Sequence, residues 1–171
     1  MRTRIFLDGM MLHRDGEQHG YDLDFKRLRG FYLPDEGETV AITFYNIMLI
    51  RQDGTSSLQK LIDWLENNGY RCRVIEVNDE ERNSVRDARP ELAAWMAAEI
   101  LKAAENGAEK IIVWAADRAL IPALRGAQEA GAVIEVVADP ARCSSGLRRV
   151  ADTFLDITEM RDLIKSEKVP A

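Results

Sequence analysis

The sequence holds little that usually gives a protein away. It has two cysteines in 171 residues, Cys72 and Cys143, far apart and without metal-ligand spacing. They read as reduced thiols, which sets a cytoplasmic protein as the expectation. No apolar run approaches the roughly 20 residues of a transmembrane helix, so no membrane span is expected. Residues 1–8 enter a strand-like run at once, without a signal-peptide pattern. The formal net charge of -6 excludes a global positive field, so contact with nucleic acid has to rest on a local basic patch. No G-x-G-x-x-G follows the first strand-like run, which removes the usual cradle for nucleotide phosphates. The two histidines, His13 and His19, fall in a loop-like stretch without a visible partner and receive no role. No Cys/His or Ser/His pairing suggests covalent catalysis.

What is present is the composition of an ordinary globular domain, 46% hydrophobic and 30% charged. Apolar runs predict strands over residues 4–8, 40–46, 71–77, 111–117, 133–137 and 153–157. Helical spacing predicts helices over 22–31, 58–65 (Leu58, Leu61, Ile62, Leu65), 91–104, 122–129 and 158–165, with a short one after Ser144 or Ser145. Trp95 joins Leu92, Met96, Ile100 and Ala103 on the expected buried stripe of the fourth, and Pro90 marks its start. Residues 10–20 and 78–89 are read as loops. Strands alternating with helices predict an α/β fold: one domain over 1–171, its mainly parallel sheet sandwiched between helices in three layers. The core is expected over 4–157, with a C-terminal helix beyond it.

The acids that matter stand at strand ends. Asp8 closes the first run and Asp117 closes Ile111-Ile112-Val113-Trp114-Ala115-Ala116. In a parallel sheet both lie at one edge, and if the two strands are neighbours the carboxylates face one cleft. Glu91 sits in the first turn expected for the helix that feeds the second strand. Each acid has a plain structural use as a cap or a partner for the helix dipole. Together they also make an oxygen-rich site for Mg²⁺ or Mn²⁺, ions that activate water and stabilise charge on a phosphodiester under attack. Tyr45 and Trp114 lie on expected core strands and read as core rather than as stacking platforms.

Three stretches resemble the NYN domains, the LabA-like branch of the PIN-like ribonuclease superfamily, in order and spacing. Phe6-Leu7-Asp8-Gly9-Met10-Met11 is similar to F-I-D-G-x-N, and Ala115-Ala116-Asp117-Arg118-Ala119-Leu120-Ile121-Pro122 to S-G-D-S-D-F-x-P. Leu147-Arg148-Arg149-Val150-Ala151-Asp152-Thr153-Phe154-Leu155-Asp156-Ile157 is similar to L-R-x-A-A-D-x-F-I-D-L. The motifs are degenerate: Met11 replaces the family's asparagine and Ala119 its second aspartate. The helix-borne K-G-x-D becomes Arg89-Pro90-Glu91, or Arg86-Asp87 in a shifted alignment. The resemblance implies a PIN-like, Rossmann-like fold and RNA as substrate. It implies Asp8, Glu91 and Asp117 as catalytic metal ligands for Mg²⁺ or Mn²⁺, with Asp152 in a supporting place.

Arg89, Arg118, Arg148 and Arg149 are the expected phosphate-binding residues, with Arg82, Arg86 and Arg142 near the same edge. Two functions stay open: a metal-dependent ribonuclease hydrolysing RNA, or an impaired NYN-like domain that binds RNA or a protein. A small-nucleotide-binding domain is a third, weakened by the missing glycine loop. A homodimer through the alanine-rich surface of 91–104 is compatible with the sequence.

Overall fold

Six apolar runs pair into one sheet in which every adjacent pair is parallel. The computed structural model describes residues 1–80, 84–160 and 165–167. Its elements run β1 (Arg2–Asp8), α1 (Gly9–His19), β2 (Tyr21–Leu23), α2 (Phe25–Phe31), β3 (Thr39–Ile50), α3 (Gln59–Asn67) and β4 (Tyr70–Asn78). They continue with α4 (Ser84–Glu105), β5 (Lys110–Trp114), α5 (Ile121–Glu129), β6 (Val133–Ala138), α6 (Ser145–Val150), β7 (Thr153–Asp156) and β8 (Lys165–Glu167). The chain moves outward from β1 to β3 and β4, then returns to place β5 on the other side of β1. β1 and β5 are therefore neighbours at the point where the winding reverses, where open α/β sheets form their crevice.

Register divides the sheet into two faces. Phe6 pairs with Thr43 and Val113, while Leu7 pairs with Phe44 and Trp114. Trp114 is fully buried, and its indole N–H donates to the Tyr32 hydroxyl at 2.9 Å, next to the end of α2. Phe44 meets Phe25 edge to face on the same side. On the opposite face Tyr45, also fully buried, donates its hydroxyl proton to Glu99 of α4. Tyr45 and Trp114 are core residues, as their strand positions suggest. Among the described residues no helix is long and apolar enough to cross a membrane.

Several expectations need correction. Residues 10–20 are not a loop but most of α1. The Asp8 carboxylate accepts from the Met10 and Met11 N–H groups, and Met11, Leu12, Asp15 and Gly16 make a buried face. Polar residues on the other face hid that pattern. Gly20, at φ 72°, ends the helix in the left-handed conformation that glycine tolerates. The helix expected over 22–31 begins later, at Phe25 with Asp24 as its cap, because residues 21–23 form a strand. The helix expected to start near Pro90 begins at Ser84. Pro90 lies inside it, and buried Ser84, Ala88, Leu92, Met96, Ile100 and Ala104 form a continuous stripe at steps of four. Trp95 falls off that stripe and is 37% exposed. The helix expected over 158–165 is not formed at its described ends. Asp156 Oδ1 accepts from the Thr158 N–H and hydroxyl to make a turn, and Lys165–Glu167 pairs antiparallel with β2. Residues 161–164 of that expectation lie outside the described residues.

Asp152 joins the outer half of the sheet to α5. Its Oδ2 accepts from the N–H of buried Ile134 at 2.7 Å and from the Gln128 amide at 3.2 Å. The bond from Ile134, then that from Gln128, holds the carboxyl below its ordinary value. Asp152→Ala leaves the Ile134 N–H unsatisfied, and urea unfolding at neutral pH should show a loss of about 1–3 kcal/mol. Because the folded pKa is depressed, this contribution is present above the ordinary value of 3.8 and disappears as pH falls through the lower folded value. The difference between variant and parent should therefore shrink in acid.

Candidate active site

Asp8 ends β1, whereas β5 stops at Trp114 and leaves Asp117 three residues beyond it; both acids cap the turn that follows. Asp8 Oδ1 accepts from the Met10 and Met11 N–H groups at 3.0 and 3.1 Å, and Asp117 Oδ1 accepts from the Ala119 N–H at 2.9 Å. The second cap opens a single 3₁₀ turn, Arg118–Leu120, that runs into α5. Each carboxylate thus spends one oxygen on the backbone. Among the described residues neither Oδ2 accepts a hydrogen bond. Gly9 lets α1 start directly at the strand end: a Cβ there would lie 2.5 Å from the Phe44 ring and 2.7 Å from the Asn46 amide nitrogen.

Asp8 and Asp117 line one cavity of about 250 Å³. Met10, Met11 and Arg14 of α1 form one wall; Arg89, Leu92, Ala93 and Met96 of α4 form another, and Arg142 closes the space. Burial is the main influence on Asp8 and pushes its carboxyl up. Bonds from Met11 and Met10 pull it down, Asp117 repels it upward, and Arg14 lowers it; the net shift is upward. A half-buried acid beside a second acid is a site that gains from positive charge.

Glu91 is not brought to this cavity. The lining residues 89, 92, 93 and 96 occupy one face of α4, and Glu91 lies about 200° round the helix from Arg89. It is exposed, as is Asp87, the shifted candidate. A place near the start of the helix and the family pattern put Glu91 near the sheet edge, but neither sets the side of α4 on which it lies. Among the described residues no three of His, Cys, Asp and Glu converge as a metal centre. Of the expected phosphate binders, Arg89 lines the cavity. Arg118, Arg148 and Arg149 are exposed and do not line it; Arg149 is within 3.4 Å of the Ser145 hydroxyl. Arg82 lies outside the described residues.

A neighbouring cluster went unseen in the sequence. Asp15, 1% exposed, has Arg14 at 3.7 Å and Arg142 at 3.6 Å, and neither of its carboxylate oxygens accepts a hydrogen bond. Burial raises its pKa, against the pull of both arginines. Asp139, just past β6, is 3.1 Å from His19 Nε2 and accepts from the Ala141 N–H. Burial pushes its carboxyl up, but those two bonds, with His19 and Arg142 nearby, hold it below its ordinary value. The signal for this cluster was the helical spacing of Asp15 and His19, hidden once α1 was read as a loop. Arg14 and Arg142 are thus anchored from below by a buried acid while their side chains line the cavity.

A doubly wound parallel sheet with two carboxylates in the crevice at its reversal point defines a class of α/β proteins that act on, or bind, ligands at that edge. The NYN domain family matches residues 2–159, and the chain belongs to it. NYN domains are part of the PIN-like nuclease superfamily, whose nucleases usually use divalent metals. No curated protein matches the chain. The crystal structure of a protein of unknown function from Vibrio parahaemolyticus is similar, with a TM-score of 0.71 at 15% identity over 95% of each chain, a likeness of fold.

The electrostatics of Asp8 give a direct test. Asn caps helices about as well as Asp and keeps an oxygen for Met10 and Met11. Asp8→Asn should therefore raise the melting temperature at pH 7, by an amount on the order of 2–4 °C. The carboxyl's folded pKa is raised, so its charge costs stability as pH rises above its ordinary value of 3.8. The gain should fade in scans run near that value. A lower melting temperature for the variant at pH 7 would contradict this account.

Proposed function

We propose that the protein is a metal-dependent endoribonuclease whose cavity cleaves single-stranded RNA. The observation that carries this reading is the pairing of Asp8 and Asp117 in one cavity, each with one carboxylate oxygen left unbonded. The donor set suits a single hard cation, since Mg²⁺ is commonly held by one or two carboxylates, with waters and substrate phosphate completing its shell. Asp8 and Asp117 are the residues that would hold Mg²⁺ or Mn²⁺. Glu91, the third ligand implied by the family pattern, would join them only through a change in α4. When bound, the ion supplies a water of lowered pKa and positive charge for the phosphodiester under attack.

The protein's own groups do the rest. The two backbone caps fix the carboxylates, so little ordering cost remains when substrate arrives. Arg14, Arg89 and Arg142 line the cavity and engage phosphate oxygens, for which a planar guanidinium is suited. Leu92, Met96 and Leu120 give the cavity an apolar side that strengthens each charge interaction within it.

A second reading has its own support. Ala119 stands where the family carries a further acid, and Glu91 faces away from the cavity; both favour a domain that binds RNA with little or no turnover.

One experiment separates them. Wild-type protein with a few millimolar Mn²⁺ or Mg²⁺ should melt at a higher temperature and cleave a labelled single-stranded RNA. Asp8→Asn and Asp117→Asn should each abolish cleavage. Binding of the RNA without cleavage in either metal selects the second reading. Cleavage that survives both substitutions defeats the assignment of the cavity.

A further inference from the structure

Below the strand-end acids, on the same face of the sheet, lies a second cavity of about 200 Å³ in which cations outnumber acids. Arg4, Phe6, Thr43, Arg71, Arg73, Glu99, Lys102, Ala103 and Asn106 surround it. Four cations therefore meet one carboxylate. That carboxylate is already engaged: Glu99 accepts from the Tyr45 hydroxyl and from Arg73 Nε at 2.8 Å. Among the described residues Arg4, Arg71 and Lys102 have no ion pair or side-chain hydrogen bond. In a chain of net charge -6, three unneutralised cations around one hollow are an unusual concentration.

The fold explains the convergence. Arg4, Phe6 and Asp8 alternate onto one face of β1, and Phe6 pairs with Thr43, which pairs with Arg71 of the edge strand β4. α4 crosses this face and adds Glu99 and Lys102. An aromatic outside the lining touches one of its cations. Trp95, 37% exposed, has the Arg73 guanidinium 5.9 Å from its ring centre. Arg73 thus spans Glu99 on one side and Trp95 on the other. A groove with free cations and an exposed aromatic within reach is what proteins use to hold single-stranded nucleic acid: charge follows the backbone, and a ring offers a face to a base.

We propose that this hollow is a second binding site for the phosphodiester backbone of single-stranded RNA, distinct from the Asp8–Asp117 cavity and holding the strand away from the acids. It rests on the nucleic-acid part of the function proposed above and not on cleavage. Arg4 and Asp8 are four residues apart on one strand, which places the two sites about 13 Å from each other along β1. A single strand can reach both.

The test is fluorescence anisotropy of an end-labelled single-stranded RNA of twelve nucleotides, in EDTA so that cleavage plays no part. The double variant Arg71→Gln with Lys102→Gln changes two exposed side chains. It should bind about tenfold more weakly at low salt, and its log–log salt slope should be shallower by about 1.4, the value for two lost phosphate contacts on a single strand. Arg4→Gln, as a second variant, should weaken binding in the same direction. Wild-type affinity and slope in these variants overturn the proposal and leave the nuclease reading standing. Cleavage that survives in the Asp8 and Asp117 variants defeats the nuclease reading and leaves this site standing. A parallel arm uses inorganic phosphate. If phosphate raises the melting temperature of the wild type but not of the double variant, while RNA binding is equal in both, the hollow serves a small anion and the RNA assignment fails.

Discussion

One hydrogen-bonding arrangement underlies the rest of the structure: a carboxylate that closes a strand and opens a helix with the same oxygen. Asp8 Oδ1 takes two backbone N–H groups at the start of α1, and Asp117 Oδ1 takes one at the 3₁₀ turn after β5. Because β1 and β5 are neighbours, two local caps become one two-acid site. The structural use of an aspartate at a strand end and its chemical use do not compete. The cap consumes one oxygen and fixes the direction of the other, so the fold pre-arranges the site while meeting its own need for capped helices.

The cavity is costly for the folded state. Asp8 is pushed up by burial and by Asp117, and Asp15 is buried with neither oxygen hydrogen-bonded. Groups like these cost stability unless they are hydrogen-bonded or paired. Asp15 makes sense as the anchor for Arg14 and Arg142, which both reach it from the cavity wall. The acid below holds both arginines at the wall, where neither is within ion-pair distance of Asp8 or Asp117.

Much of this was legible in the sequence, and the misses share a cause. Wherever burial was continuous the pattern showed through. The strand of Ile111 to Trp114, the strand-end aspartates, the cap of α6 by Ser144 and the buried Tyr45 and Trp114 all followed from apolar runs and turn chemistry. α1 was missed because its buried face includes Asp15 and Gly16, residues that in a one-dimensional pattern argue for a loop. The start of α4 was missed because Pro90 normally opens a helix. Here buried Ser84 and Ala88 extend the helix N-terminal to it, and packing outweighs the one backbone hydrogen bond that proline gives up. Glu91 belongs to the expected site through the family pattern, which does not set the face of α4 it occupies. The pairing of Asp139 with His19 joins residues 120 positions apart, and no local pattern encodes a contact of that range.

The phase of α4 bears most directly on chemistry. A helix that presents Arg89, Leu92, Ala93 and Met96 to the cavity supplies one cation and an apolar surface where the family pattern leads one to expect an acid. The exchange alters the electrostatic balance. With Asp8 and Asp117 facing Arg14, Arg89 and Arg142, and Asp15 set against two of those arginines, the acids and the cations of the cavity are balanced before any ion enters. Its guanidiniums still offer donors to an anion, while its pull on a divalent cation is weaker than that of a four-acid centre. On the reading proposed above, substrate phosphate would then complete the ion's coordination and offset the arginines. Metal and RNA would bind with positive coupling, each raising the other's affinity. A domain that had lost turnover but kept its arginines would retain the RNA half of that coupling. On that same reading, the arginines of the cavity engage the phosphate backbone and metal-assisted chemistry depends on that contact.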